Sequence, residues 1–259
     1  FKKNIMLKYK NAPKSTIKVN RLEDLLIEEL YNYIDKYNYV CIKGLFDVSK
    51  LKYSIAKLRS LYSANNDNPS IGEERHEIRD NFQKLTLGGA SLRYNNYARF
   101  FRTFYNPTWA DDIYGMRSVF KDLIRLRNKI YDIDHDFAIS KIEDNGLWSA
   151  TRIHQYPSGG GFFCVHRDTT LLDVAKEKKS NFYQIILNLN QKGVDYNSGG
   201  AFVDNDQYRF MVEDQCEIGD VLVYDGRTLH GVEEVDPNSV INMNNINGRL
   251  VAMASLYKV

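Results

Sequence analysis

Residues 147–168 read LWSATRIHQYPSGGGFFCVHRD, and the reading of this stretch decides the fold. A run of β-branched and aromatic residues enters a Pro-Ser-Gly-Gly-Gly turn, and a second run of the same texture leaves it. Gly159, Gly160 and Gly161 predict a hairpin that needs positive φ. They do not read as a phosphate loop, because no GK[ST] follows and the next element is a strand. The texture continues in NFYQIILNLN, GGAFVD, QYRFMVE, DVLVYDG, TLHGVEEV and GRLVAMASLYKV, about eight strands in all, divided by Gly, Asn and Asp turns. Strands at such spacing, with no helix between them, predict a sandwich or barrel and not βαβ units.

Upstream of Leu147 the period changes. In RLEDLLIEELYNYIDKYN, Leu22, Leu25, Leu26, Leu30 and Ile34 recur at three- and four-residue intervals, which predicts one amphipathic helix. YVCIKGLF reads as a short strand, and DVSKLKYSIAKLRSLYS as a second helix with Asp47 as its N-cap. Residues 63–80 are polar and turn-rich, so an exposed loop or lid is expected there. A third helix is expected in ADDIYGMRSVFKDLIRLRNKIYDI, with acidic residues in its first turn. The expected architecture is mainly β with α: a jelly-roll barrel over 147–259, packed by a largely helical part over 1–146, together one domain of 259 residues.

Composition narrows the function classes. Lys plus Arg (35) nearly balances Asp plus Glu (33), so the chain lacks the positive field that draws proteins to nucleic acid. Apolar stretches are too short to span a bilayer, and FKKNIMLKYKNAPK lacks the apolar core of a signal peptide. Cys41, Cys164 and Cys216 form no CxxC pair and no even disulfide framework, which points to a reducing compartment. The expectation is a cytoplasmic protein with a small-molecule substrate, no nucleic acid and no membrane. The sequence leaves the oligomeric state open.

In a strand, residues i and i+2 share a face, so His166 and Asp168 converge while Arg167 points away. Cys164 falls on the same parity. Of the five histidines, His230 starts a strand 64 residues later and can complete a set of two imidazoles and one carboxylate with open coordination positions. That donor set suits non-haem iron(II). The cysteines are not placed to complete a zinc tetrahedron. Taken alone, an HxD pair reads equally as two hydrogen-bonded polar residues at a strand end.

The surroundings resemble the iron(II)/2-oxoglutarate-dependent dioxygenase superfamily, with the phytanoyl-CoA-dioxygenase-like and prolyl-hydroxylase-like branches both open; YIDKYNYVCIKGLF is similar to the opening helix and strand of the former. RIHQYPSGGGFFCVHRD is similar to that family's strand, turn and HxD strand. ILNLNQKGVDYNSGGAFV is similar to its central strand and Gly-Gly hairpin, GDVLVYDGRTLHGVEEV to its distal-histidine segment, and NGRLVAMASLY to its arginine strand. The resemblance implies a double-stranded β-helix (jelly roll), an Fe(II) site at His166, Asp168 and His230, and 2-oxoglutarate and O2 as co-substrates. Because Asp168 is retained, hydroxylation is implied rather than halogenation.

The resemblance also implies that Arg249 neutralises the distal carboxylate of 2-oxoglutarate, for which a planar guanidinium is suited. Arg249 lies 19 residues after His230, an interval lengthened by the polar stretch DPNSVINMNNIN, and Val251 stands where one branch carries a serine. Arg152, His154 and Tyr156 share a strand face; Tyr156 and His154 match co-substrate contacts of the family, and each is equally readable as a packing or hydrogen-bonded core residue. Gln184 and Asn188 share another face and read either as pocket lining or as partners for backbone groups. Arg93, Arg99 and Arg102, interleaved with aromatics, could grip an anionic substrate or simply pack. Pocket walls are expected from loops at 63–80, 88–109 and 169–180. The implied activity is hydroxylation of a small polar metabolite derived from an amino acid or sugar, with succinate and CO2 released. The alternatives are a cupin-type metalloenzyme that does not use 2-oxoglutarate and a non-catalytic jelly-roll binding protein.

Overall fold

The computed structural model describes residues 8–68, 81–88, 98–168, 182–204 and 208–258. All eight strands expected after residue 146 are present: β6 (Leu147–Tyr156), β7 (Gly161–His166), β8 (Tyr183–Asn188), β9 (Gly200–Asp204), β10 (Tyr208–Met211), β11 (Val221–Asp225), β12 (Leu229–Val235) and β13 (Arg249–Lys258). Gly159 and Gly160 adopt φ of +97° and +112°, as their sequence suggested, but the turn does not close a hairpin, because β5 (Arg99–Tyr105) lies between β6 and β7 and pairs with both.

The upstream part holds five more strands: β1 (Lys8–Lys10), β2 (Thr16–Lys18), β3 (Tyr39–Lys43), β4 (Phe82–Gly88) and β5 (Arg99–Tyr105). Only β3 was legible in advance. Residues 99–105, expected within a loop, form a strand that pairs with both β6 and β7. Alternation is hidden there because aromatic residues face both ways. Residues 69–80, 89–97 and 169–181, the remainder of the expected pocket-wall loops, lie outside the described residues, as do His76 and Arg93.

The described strands run in the order β1-β10-β9-β12-β7-β5-β6-β13-β8-β11-β3-β2, with β4 flanking β5. One wall of the jelly roll is therefore β10-β9-β12-β7, the other β6-β13-β8-β11-β3, and the sheet crosses the boundary expected at residue 146. Strand parity divides the apolar side chains between two layers. Ile185, Leu187, Val221, Val223, Leu250 and Ala252 face the helices, whereas Ile186, Leu222, Tyr224, Val251 and Met253 face the barrel interior. Because both faces are covered, every residue of β6 is buried.

Three helices pack on the outer layer: α1 (Ile27–Tyr37), α2 (Val48–Leu61) and α3 (Arg117–Ile130). Asp47 caps α2 as expected, accepting from Ser49 N–H at 2.8 Å. Two helices start later than their periodicity suggests. Leu22–Asp24 forms a separate 3-10 turn whose break turns Leu25 into the core. Gly115, at φ +71°, interrupts the third pattern, and Asp112 accepts from the Arg117 N–H at 3.0 Å, so α3 begins there. Asn38 ends α1 in the left-handed conformation, donating its N–H to Ile34. No helix among the described residues is long and apolar enough to cross a membrane. Cys41 and Cys216, 175 positions apart, meet inside the barrel with Sγ atoms 3.5 Å apart.

Candidate metal centre and co-substrate pocket

His166 ends β7 and His230 lies near the start of β12, and the two are directly opposed in the antiparallel ladder. Cross-strand neighbours bring side chains together, so the imidazole centroids stand 4.3 Å apart. Asp168 reaches both from just beyond β7: Oδ1 lies 3.6 Å from His166 Nε2, and Oδ2 lies 3.2 Å from His230 Nε2. One ligand atom from each of the three falls within 4.8 Å of the others, a separation that a single ion can bridge.

Hydrogen bonds behind the rings orient them. His166 Nδ1 lies 2.8 Å from the Cys164 carbonyl, and His230 Nδ1 lies 2.8 Å from the Thr228 carbonyl. A carbonyl only accepts, so each Nδ1 carries a proton and each Nε2 is directed toward Asp168. Burial opposes ionisation of Asp168, but hydrogen bonds from His166 and His230 outweigh it and hold the carboxyl well below the usual carboxylate range. Gln184 donates from Nε2 to Asp168 Oδ2 at 2.7 Å and so belongs to the centre as a support of the carboxylate.

Simple alternation fails at this point of the chain. Between the pairs Val232–Phe163 and His230–His166, β7 advances three residues while β12 advances two. This β-bulge places Phe163, rather than Cys164, beside the metal ligand: its ring stacks on His166 with centroids 3.9 Å apart. Gly231, facing the bulge, has no room for a Cβ, which would sit 2.6 Å from the Phe163 carbonyl oxygen.

Deeper in the barrel, Arg249 stands opposite Tyr156, and Val251 lies between His154 on β6 and Asn188 on β8. Arg152 is two residues from His154 on the same face. Arg249 is 1% exposed, and its Nε is held by Glu213 at 2.7 and 2.6 Å. Glu213, from the 3-10 turn Val212–Gln215, also accepts from the Tyr196 hydroxyl and the Ala201 N–H. Burial disfavours the Arg249 charge, but the Glu213 carboxylate more than restores it, so the pair is ionic. Its Nη2 has no hydrogen-bond partner among the described residues.

His154 is neutral. Burial, then the charges of Arg152, Arg249 and Arg99, push it well below the usual histidine range, and its Nε2 accepts from Arg152 Nε at 3.0 Å. Among the described residues its Nδ1 is therefore a buried donor without a partner, and both amide atoms of Asn188 are likewise unpartnered. Buried polar groups left unpaired are costly. A barrel interior with three such groups, mostly donors, fits a polar anionic guest such as 2-oxoglutarate. Burial raises the Tyr156 hydroxyl to about 12, so it stays protonated beside the guanidinium, whose carbon lies 5.1 Å from the ring centroid.

Of the sequence candidates, His166, Asp168, His230 and Gln184 assemble at the metal centre, and Arg249, Tyr156, His154, Asn188 and Arg152 line the same interior. Arg102 does not join them. It points to the opposite face of β5, fully buried, with Nε and Nη2 on Asp67 at 2.7 and 2.8 Å and Nη1 on Gln155. It is a structural ion pair. Two interior residues were missed: Glu213, whose turn has no sequence signature, and Tyr224, whose ring lies 4.6 Å from His230 and whose parity with Leu222 did point inward.

No protein-family model and no curated protein sequence matches the chain. Solved structures do. A prolyl hydroxylase from Trichoplax adhaerens, in complex with a hypoxia inducible factor peptide fragment, superposes with a TM-score of 0.54 at 12% identity over 90% of this chain and 88% of that one. The chain shares the fold of that hydroxylase. A prolyl-4-hydroxylase from Pseudomonas putida gives a TM-score of 0.51 at 15% identity, over 90% of this chain and all (100%) of that one. A putative oxygenase from Shewanella oneidensis gives 0.52 at 11%, over 97% and 90%. At these identities the likeness establishes the jelly roll and says nothing about the substrate.

Proposed function

We propose that the protein is a non-haem iron(II)/2-oxoglutarate-dependent oxygenase that hydroxylates an unactivated C–H bond of a small polar metabolite. The observation that carries the reading is the convergence of His166, Asp168 and His230, with both Nε2 atoms and the carboxylate gathered at one place. Two imidazoles and one carboxylate on one side leave the opposite positions open to small ligands. With O2 and 2-oxoglutarate, bound iron(II) supplies the oxidation, and succinate and CO2 are the co-products.

The chain's own groups then have distinct tasks. Gln184 fixes the Asp168 carboxylate, and the Cys164 and Thr228 carbonyls fix the imidazoles. The Nη2 edge of Arg249 would receive the distal carboxylate of the co-substrate, with the Tyr156 hydroxyl, His154 Nδ1–H and Asn188 amide available along its length. Apolar neighbours such as Ile186, Val251 and Met253 keep water from the interior.

Anaerobic addition of iron(II) and then 2-oxoglutarate should produce a weak visible charge-transfer band that His230→Ala abolishes. A wild-type protein without the band refutes the assignment. One observation favours a metalloenzyme that does not use 2-oxoglutarate: Glu213 already pairs with Arg249. That second reading is selected if Arg249→Ala retains full oxygenase activity without 2-oxoglutarate.

A further inference from the structure

Arg99 is the first residue of β5 and lies on the interior parity, two residues before Phe101, whose ring stacks on His154 with centroids 4.8 Å apart. Its guanidinium carbon lies 5.8 Å from the Phe163 ring centroid, and Phe163 in turn stacks on the metal ligand His166. Only one aromatic ring separates this cation from the metal centre. Arg99 is half-buried, and no hydrogen bond or ion pair holds its side chain among the described residues. The other arginines near this interior are engaged: Arg249 by Glu213, Arg152 by His154, the Ala150 carbonyl and Ser255.

The charges point the same way. The described interior sets Arg99, Arg152 and Arg249 against Asp168 and Glu213, an excess of one positive charge. A divalent metal and a dianionic 2-oxoglutarate cancel each other, so the excess persists when both are bound. A half-desolvated guanidinium without a carboxylate is a receptor for one, through two parallel hydrogen bonds.

We infer that Arg99 is the substrate-recognition residue of this site and that the substrate is a small molecule bearing a carboxylate, gripped at the rim while the carbon to be oxidised lies over the metal. The inference rests on the oxygenase reading and sharpens it from a polar metabolite to a carboxylic acid.

The test uses the iron(II)-loaded protein under anaerobic conditions with saturating 2-oxoglutarate, so that the co-substrate site is closed to the probes. The probes are the free L-amino acids and their primary amides, titrated by calorimetry. At least one acid should bind, and its amide about 10- to 100-fold more weakly, the loss expected for one charge-assisted contact. Arg99→Gln should weaken the acid by a similar factor, Arg99→Lys should recover part of it, and neither should change the charge-transfer band. Equal binding of acid and amide, unchanged acid affinity in Arg99→Gln, or no binding by any acid overturns the inference. Absence of the band in the wild type instead refutes the oxygenase reading, and the acid titrations of wild type and Arg99→Gln still decide the anion site.

Discussion

Removing the Glu213 carboxylate should destabilise the protein more than any single hydrogen bond could account for. Glu213 is 3% exposed and holds three buried donors: Arg249 Nε–H, the Tyr196 hydroxyl at 2.8 Å and the Ala201 N–H. Glu213→Ala leaves a fully buried guanidinium without its counter-ion, and breaking a buried pair from one side costs about 3–5 kcal/mol. Against a total stability of about 5–15 kcal/mol this is severe. At about 2–4 °C per kcal/mol for a chain near this size, the midpoint of thermal unfolding should fall by about 6–20 °C. Tyr196→Phe is the control, because it removes one hydrogen bond to a charged group and leaves the ion pair intact, at about 1.5–3 kcal/mol. Glu213→Gln keeps the shape and should fall between the two. Thermal unfolding followed by circular dichroism reads all three. A Glu213→Ala midpoint within 3 °C of wild type, or a larger loss in Tyr196→Phe, would refute the claim that Glu213 supplies the counter-charge.

The remaining predictions concern pH, packing and the boundary of the site. His154 has its pKa depressed in the folded state, so below about pH 6.5 the unfolded chain binds a proton that the folded one resists. Stability should therefore be full at pH 7.5 and fall on acidification, with His154 contributing up to about 1.4 kcal/mol per pH unit. Urea unfolding at pH 5.5 and 7.5 should show a smaller difference in His154→Gln, and an unchanged difference counts against a neutral His154. Gly231→Ala forces β12 from the bulge beside His230 and should weaken iron(II) binding about 10- to 100-fold, as read by metal titration. Arg102→Ala should lower the unfolding midpoint yet leave iron(II) affinity within twofold of wild type, since its partners Asp67 and Gln155 lie on the other face of the sheet. A tenfold loss of affinity would place Arg102 in the site after all.

What could be read in advance divides along a physical line. The strands after residue 146 and the helix faces were legible because their periods, two and 3.6, are written in side-chain polarity. His166, Asp168 and His230 stood out as candidates because such a site requires imidazole donors, and the chain has five histidines. β5 was not legible, since a strand largely buried on both faces shows no alternation, and β1 and β2 are three residues long. Interior placement was partly legible from parity, which located His154, Tyr156, Gln184 and Asn188, whereas Arg102 stood in an expected loop to which no parity applied, and its even position on β5 sends it to Asp67.

Local sequence alone determined the jelly-roll strands, the glycine turn before β7 and the candidate metal donors, because each depends on residue type and local preference. Tertiary structure decided the rest. The bulge that substitutes Phe163 for Cys164 beside His166 depends on how β12 registers against β7, and the partner of Arg249 depends on a turn 36 residues away. The exposure of Arg99 toward the interior depends on β5 joining both walls. Register and long-range charge pairing are properties of elements already packed together, and no window of sequence contains both partners.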